Sequence, residues 1–132
     1  MAQPAGGRRW NKVVAVVAIL FGVLTLKEGG SVLLDIGGAR AAAGAFVPFV
    51  LWFNTAAGLA YVVAGAGLWR CAGWSAPLAA GIAAATALVF AALGLHIAAG
   101  GDFEIRTVGA MTLRTLVWVA IALAARRWRQ EW

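Results

Sequence analysis

At 132 residues the chain has the length of one domain, yet 63% of it is hydrophobic and only 12% charged, too little polar surface to cover a soluble domain of that size. Its formal net charge of +6 does not describe a nucleic-acid binder, because the basic residues bracket apolar segments instead of covering one polar face. A single cysteine, Cys71, excludes an intrachain disulfide framework.

The apolar stretches lie roughly at 13–34, 45–69, 76–99 and 103–128, each near the ~20 residues that cross a ~30 Å hydrocarbon core. Residues 1–7 form a polar tail with Pro and Gly, expected to be disordered. Arg8 and Arg9 before an apolar run also fit a twin-arginine or Sec signal, with Ala39-Arg40-Ala41 as a cleavage site. Asn11 interrupts that pattern, the run is long and three more spans follow, so an uncleaved first helix is expected. That helix weakens at Gly29 and Gly30, and Gly37-Gly38 opens the longest connection, ending near Gly44. Pro48 and Pro77 fall in the first turns of their helices, where a missing amide donor costs little, and Ser75 suits an N-cap. Gly100 and Gly101 can supply left-handed C-cap geometry, after which Asp102 can cap the fourth helix and Glu104 complement its dipole. The basic end of the fourth helix is expected to project beyond the membrane.

Orientation follows from the cations. Arg8, Arg9, Lys12, Arg70, Arg126, Arg127 and Arg129 would share one face, against Lys27, Arg40 and Arg106 on the other. Translocated loops are depleted in Lys and Arg, so both termini are expected in the cytoplasm of a bacterial inner membrane. The acids Glu28, Asp35, Asp102 and Glu104 sort to the outer side, and Trp10, Trp69, Trp74, Trp128 and Trp132 to the inner helix ends. The expected fold is therefore all-α: an integral membrane four-helix bundle, N-in/C-in, with 1–132 as a single transmembrane domain.

Helices already in hydrocarbon associate by close approach, so small residues should mark their seams. Asn54, Gly58, Tyr61 and Gly65 share one face of the second span, and Gly81, Ala85, Ala92 and His96 lie near one side of the third. Intrachain packing is the plain reading of the glycine face and self-association the sharper one.

Polar groups inside spans are costly and usually face a bundle interior. Glu28, Asn54, His96 and Arg114, with Thr112 and Thr115 nearby, are expected to form one intramembrane cluster in the outer half. Arg114 cannot readily lose its proton and must be paired or hydrated, which makes an ion pair the first expectation, with Glu28 favoured over Asp35 or Glu104. Attraction of an anionic ligand or contact with a lipid headgroup are the alternatives. His96 beside Asp102 and Glu104 permits a metal or proton site but reads first as interfacial packing. No catalytic constellation emerges, since Cys71 and His96 should sit on opposite faces, and no metal site or cofactor is expected.

Residues 47–54 (VPFVLWFN) and the run from His96-Ile97 through Gly100-Gly101, Glu104, Arg106-Thr107-Val108-Gly109-Ala110-Met111 to Arg114 resemble a group of small, uncharacterised bacterial four-helix inner-membrane proteins. The resemblance covers most of the chain and implies a bacterial inner-membrane setting, without functional residues or a cofactor. The expected role is a non-catalytic accessory, binding or complex-assembly protein. A minimal homo-oligomeric transporter is the alternative, and a membrane subunit of a respiratory or metal-handling enzyme a third class. Expected partners are the lipid bilayer and a homo-oligomer or larger membrane complex, not nucleic acid.

Overall fold

A computed structural model describes residues 5–45 and 47–130, with side chains from Trp10 onward. It is all-helical: α1 (Ala5–Leu33), a 3-10 turn (Ile36–Gly38), α2 (Ala39–Ala43), α3 (Pro48–Trp69), α4 (Ser75–Ala98) and α5 (Ile105–Arg129). Four stretches, Trp10–Leu33, Pro48–Trp69, Ser75–Ala98 and Ile105–Arg129, are long and apolar enough to cross a membrane. Large apolar side chains cover their outward faces, among them Leu20, Leu24, Leu59, Leu88, Leu95 and Leu116. Such a surface suits hydrocarbon and would be an aggregation hazard in water. The chain is a multi-pass membrane protein.

The tightest seam joins α1 to α3, and the backbone explains why. A Cβ added at Gly22 would meet the Gly58 carbonyl oxygen at 2.7 Å, and one at Gly65 would meet the Ala15 oxygen at 2.9 Å. Gly29 likewise faces Thr55. With no Cβ at these glycines the two backbones approach closely and neighbouring side chains such as Ile19, Leu26 and Val62 pack over them, as the glycine face of 58 and 65 predicts. That face is consumed within the chain. The small side of α4 is different: Gly81 has open space around it and Ala92 is exposed, so the expected seam there does not form.

The core divides into two clusters. One runs through all four spans, with Ala15 and Ala18 of α1, Tyr61, Ala64 and Leu68 of α3, Ala79 and Ala83 of α4, and Trp118, Ile121 and Ala125 of α5. The other, Val47, Val50, Leu93 and Met111, fills only the α3–α4–α5 side of the end where the 34–47 connection lies. Beneath α1 at that loop end the apolar filling stops, and a cavity takes its place.

The helix ends depart from expectation in detail. Ala5–Gly7 already belong to α1, while residues 1–4 of the expected tail lie outside the described residues, as do Glu131, Trp132 and the side chains of Arg8 and Arg9. The 34–47 connection is structured, since Arg40 donates to the Val32 and Leu33 carbonyls (3.0 and 2.7 Å) and so ties α2 to the end of α1. Ser75 begins α4 without capping it, its hydroxyl donating to the Ala72 carbonyl instead (2.7 Å). Gly100 (φ 86°) closes α4 as anticipated, with the Gly101 amide donating to the His96 carbonyl. Asp102 does not cap α5: Glu104 holds the N-cap position, and no side chain bonds the first turn.

Candidate functional site

The cavity at the loop end has a volume of about 360 Å³ and is walled by Thr25, Glu28, Gly29 and Val32 of α1, Leu51 and Asn54 of α3, and Thr107, Ala110 and Arg114 of α5, with Ala43, Glu104 and Arg106 at its edge. α1 packs closely on α3 and α4 on α5, whereas α1 and α5 barely touch, so the cavity lies where the two helix pairs part.

Arg114 is its principal group. The residue is 8% exposed, and its guanidinium is held from three directions. Nη1 donates to the Thr25 hydroxyl (2.9 Å) and to the Tyr61 hydroxyl (3.4 Å). The Phe21 ring lies 5.0 Å from the guanidinium carbon and the Tyr61 ring 6.0 Å, positions in which the aromatic faces offset part of the cost of burying the charge. Nε is buried and has no partner among the described residues. An unpaired donor on a buried cation costs about 1–3 kcal/mol or more, because the lost hydration is not replaced.

The expected ion pair with Glu28 is absent. Among the described residues no carboxylate comes within 4.0 Å of Arg114. Glu28 lines the same cavity but is exposed on the α1 wall, three residues beyond Thr25. Hydroxyls replaced the carboxylate because Thr25 and Tyr61 point inward at the depth of Arg114, whereas Glu28 sits three residues, ~4.5 Å along the helix axis, nearer the loop end. Asn54 joins the cluster as expected, and its side-chain oxygen is buried and unpaired.

Two of the acids grouped on the outer face by sequence take different places. Glu104 lines the cavity while its Oε1 accepts from the Ala45 amide (2.8 Å), fastening the 34–47 connection to the start of α5. Asp35 instead accepts from the Arg40 amide (3.1 Å) in a turn of its own. Arg106, read from the sequence only as a charge, donates to the Ala42 and Ala43 carbonyls at the end of α2 (3.3 and 3.4 Å).

His96 does not belong to the cluster. Its Nε2 bonds the Asp102 carbonyl (2.9 Å), and its ring meets Phe49 edge-on at 6.1 Å, an interfacial packing role. Among the described residues no three His, Cys, Asp or Glu side chains are grouped to hold a metal ion. Thr112 and Thr115 turn their hydroxyls to the Val108 and Met111 carbonyls of their own helix.

On the side of Arg114 toward the termini, Tyr61 stacks on Trp118 with ring centroids 4.7 Å apart and planes 28° from parallel, and both rings are fully buried. Tyr61 thus packs the core next to the cavity and also holds Arg114. Its place on the glycine face was legible in the sequence; its hydroxyl's bond to Arg114 was not. Thr25 was missed altogether, since one threonine in an apolar run carries no periodic signal.

No family model, curated protein or solved structure matches the chain, so its functional reading rests on its own residues.

Proposed function

We propose that the chain is a non-catalytic binding protein of a bacterial inner membrane, with both termini cytoplasmic and the Arg114 cavity open toward the outer side. It serves as the ligand-holding or accessory component of a membrane process. One observation carries the reading: a cation nine-tenths buried lines a cavity of about 360 Å³ with a donor left unpaired and, among the described residues, no carboxylate paired to it. An intramembrane charge without a countercharge is a candidate binding position, and a guanidinium selects carboxylate or phosphate oxygens. Lys12, Arg70, Arg126, Arg127 and Arg129 lie at the end opposite the cavity, and this asymmetry supports the orientation.

A transporter finds less support. Its solute would have to pass the Tyr61–Trp118 stack, which fills the bundle below Arg114.

Thermal melting in lipid-stripped, uncharged detergent tests the proposal, with inorganic phosphate and hexyl phosphate as probes. A ligand bound only by the folded state stabilises it by ~2.7 kcal/mol at a concentration 100 times Kd. At least one probe should raise Tm saturably in the natural chain and leave a folded Arg114→Gln variant unmoved. Equal response of the two chains, or response of neither, contradicts the reading.

A further inference from the structure

The lining of the cavity is balanced in charge: Arg106 and Arg114 against Glu28 and Glu104, two positive and two negative. Two of its lining residues also carry a buried polar atom without a hydrogen-bond partner among the described residues, the Nε donor of Arg114 and the side-chain oxygen acceptor of Asn54. These two do not bond one another. A simple anion would satisfy Arg114 but leave the Asn54 oxygen bare and stand near the Glu28 carboxylate. A simple cation would reverse the mismatch.

Resting on the binding role proposed above, we propose that the cavity takes a zwitterionic group, its anionic oxygen on the Arg114 guanidinium and its primary ammonium shared between Glu28 and Asn54 Oδ1. The arrangement suits the two charges of an ethanolamine phosphate. Glu28 stands three residues, ~4.5 Å along the helix axis, beyond the level of Thr25, which touches Arg114. The anionic end therefore lies deeper and the ammonium nearer the loop end. That is the order in which a phospholipid headgroup presents phosphate and amine from the hydrocarbon outward. Asn54 Oδ1 requires an N–H, which a primary ammonium has and a quaternary one lacks. The site should therefore prefer ethanolamine to choline. The cavity also lies between α1 and α5, which barely touch, so a headgroup that remains attached to its acyl chains has a way in between helices.

Native mass spectrometry of delipidated protein, mixed with equal amounts of short-chain phosphatidylethanolamine, phosphatidylcholine and phosphatidylglycerol, tests this. One phosphatidylethanolamine per chain should be retained, roughly tenfold above the other two, the difference a charge-assisted hydrogen bond makes. Glu28→Gln, on an exposed wall position, keeps the fold and should erase the preference over phosphatidylglycerol. Free O-phosphoethanolamine separates the sources: displacement of the lipid at millimolar concentration identifies the headgroup alone as sufficient, and its failure to compete assigns the ligand to intact lipid. Phosphatidylglycerol retained as well as phosphatidylethanolamine, with Glu28→Gln silent, overturns the zwitterion and leaves an anion site. Retention of none of the lipids and no O-phosphoethanolamine overturns the zwitterion, and overturns the binding role as well where phosphate and hexyl phosphate leave Tm unmoved.

Discussion

Arg114 shows how a buried charge can be held without a countercharge. Its guanidinium is distributed over a threonine hydroxyl, a tyrosine hydroxyl and two aromatic faces, each worth far less than a buried carboxylate and each cheaper to bury. The arrangement supports the side chain without neutralising it, so the charge remains available to a ligand. Couplings measured in ligand-free detergent separate this from an ion pair. Arg114→Gln and Thr25→Val should be coupled by about 1.5–3 kcal/mol, the worth of a buried hydrogen bond to a charge. Arg114→Gln and Glu28→Gln should add within about 0.5 kcal/mol. A coupling of several kcal/mol between Arg114 and Glu28 would restore the ion pair that the sequence alone suggests.

At the scale of the elements, the α1–α3 seam decides where the cavity lies. Gly22, Gly58 and Gly65 bring the two backbones together, and that contact sets Thr25 and Asn54 facing one interior. Gly58→Leu drives a side chain into Leu26 and the Gly22 carbonyl, and overpacking of this kind costs roughly 1–3 kcal/mol. Detergent melting should show that loss, while Gly81→Leu, pointing into open space on α4, should leave the transition within about 0.5 kcal/mol. Equal effects at both positions would place the seam elsewhere. The glycine face was readable because residues 54, 58, 61 and 65 recur at helical spacing. α2 was not, because five residues of Ala and Arg have no period to read and are held in place by Arg40 and Arg106 binding carbonyls of the chain around them.

For the whole molecule, hydropathy alone located the four spans to within a few residues, since crossing a bilayer imposes both length and apolarity. The candidate site was legible as a set of costly residues, Glu28, Asn54 and Arg114, and not as a geometry. Which partner satisfies Arg114 depends on the rotation of α1 against α5, a quantity that apolar composition does not encode, and the same rotation leaves His96 outside. The two-part core carries the functional consequence: it is continuous toward the termini, where Tyr61 and Trp118 seal it, and incomplete at the other end. With the proposed orientation, the central claim is a polar cavity in the outer half of the membrane, open outward and closed toward the cytoplasm. Thiol accessibility tests it most directly, using Asn54→Cys in a Cys71→Ser background and a small membrane-impermeant thiosulfonate added to spheroplasts. Rapid modification from outside at position 54, slowed by occupancy of Arg114, is the predicted result. Modification only after the cytoplasmic face is exposed, or none at all in the folded protein, would contradict it.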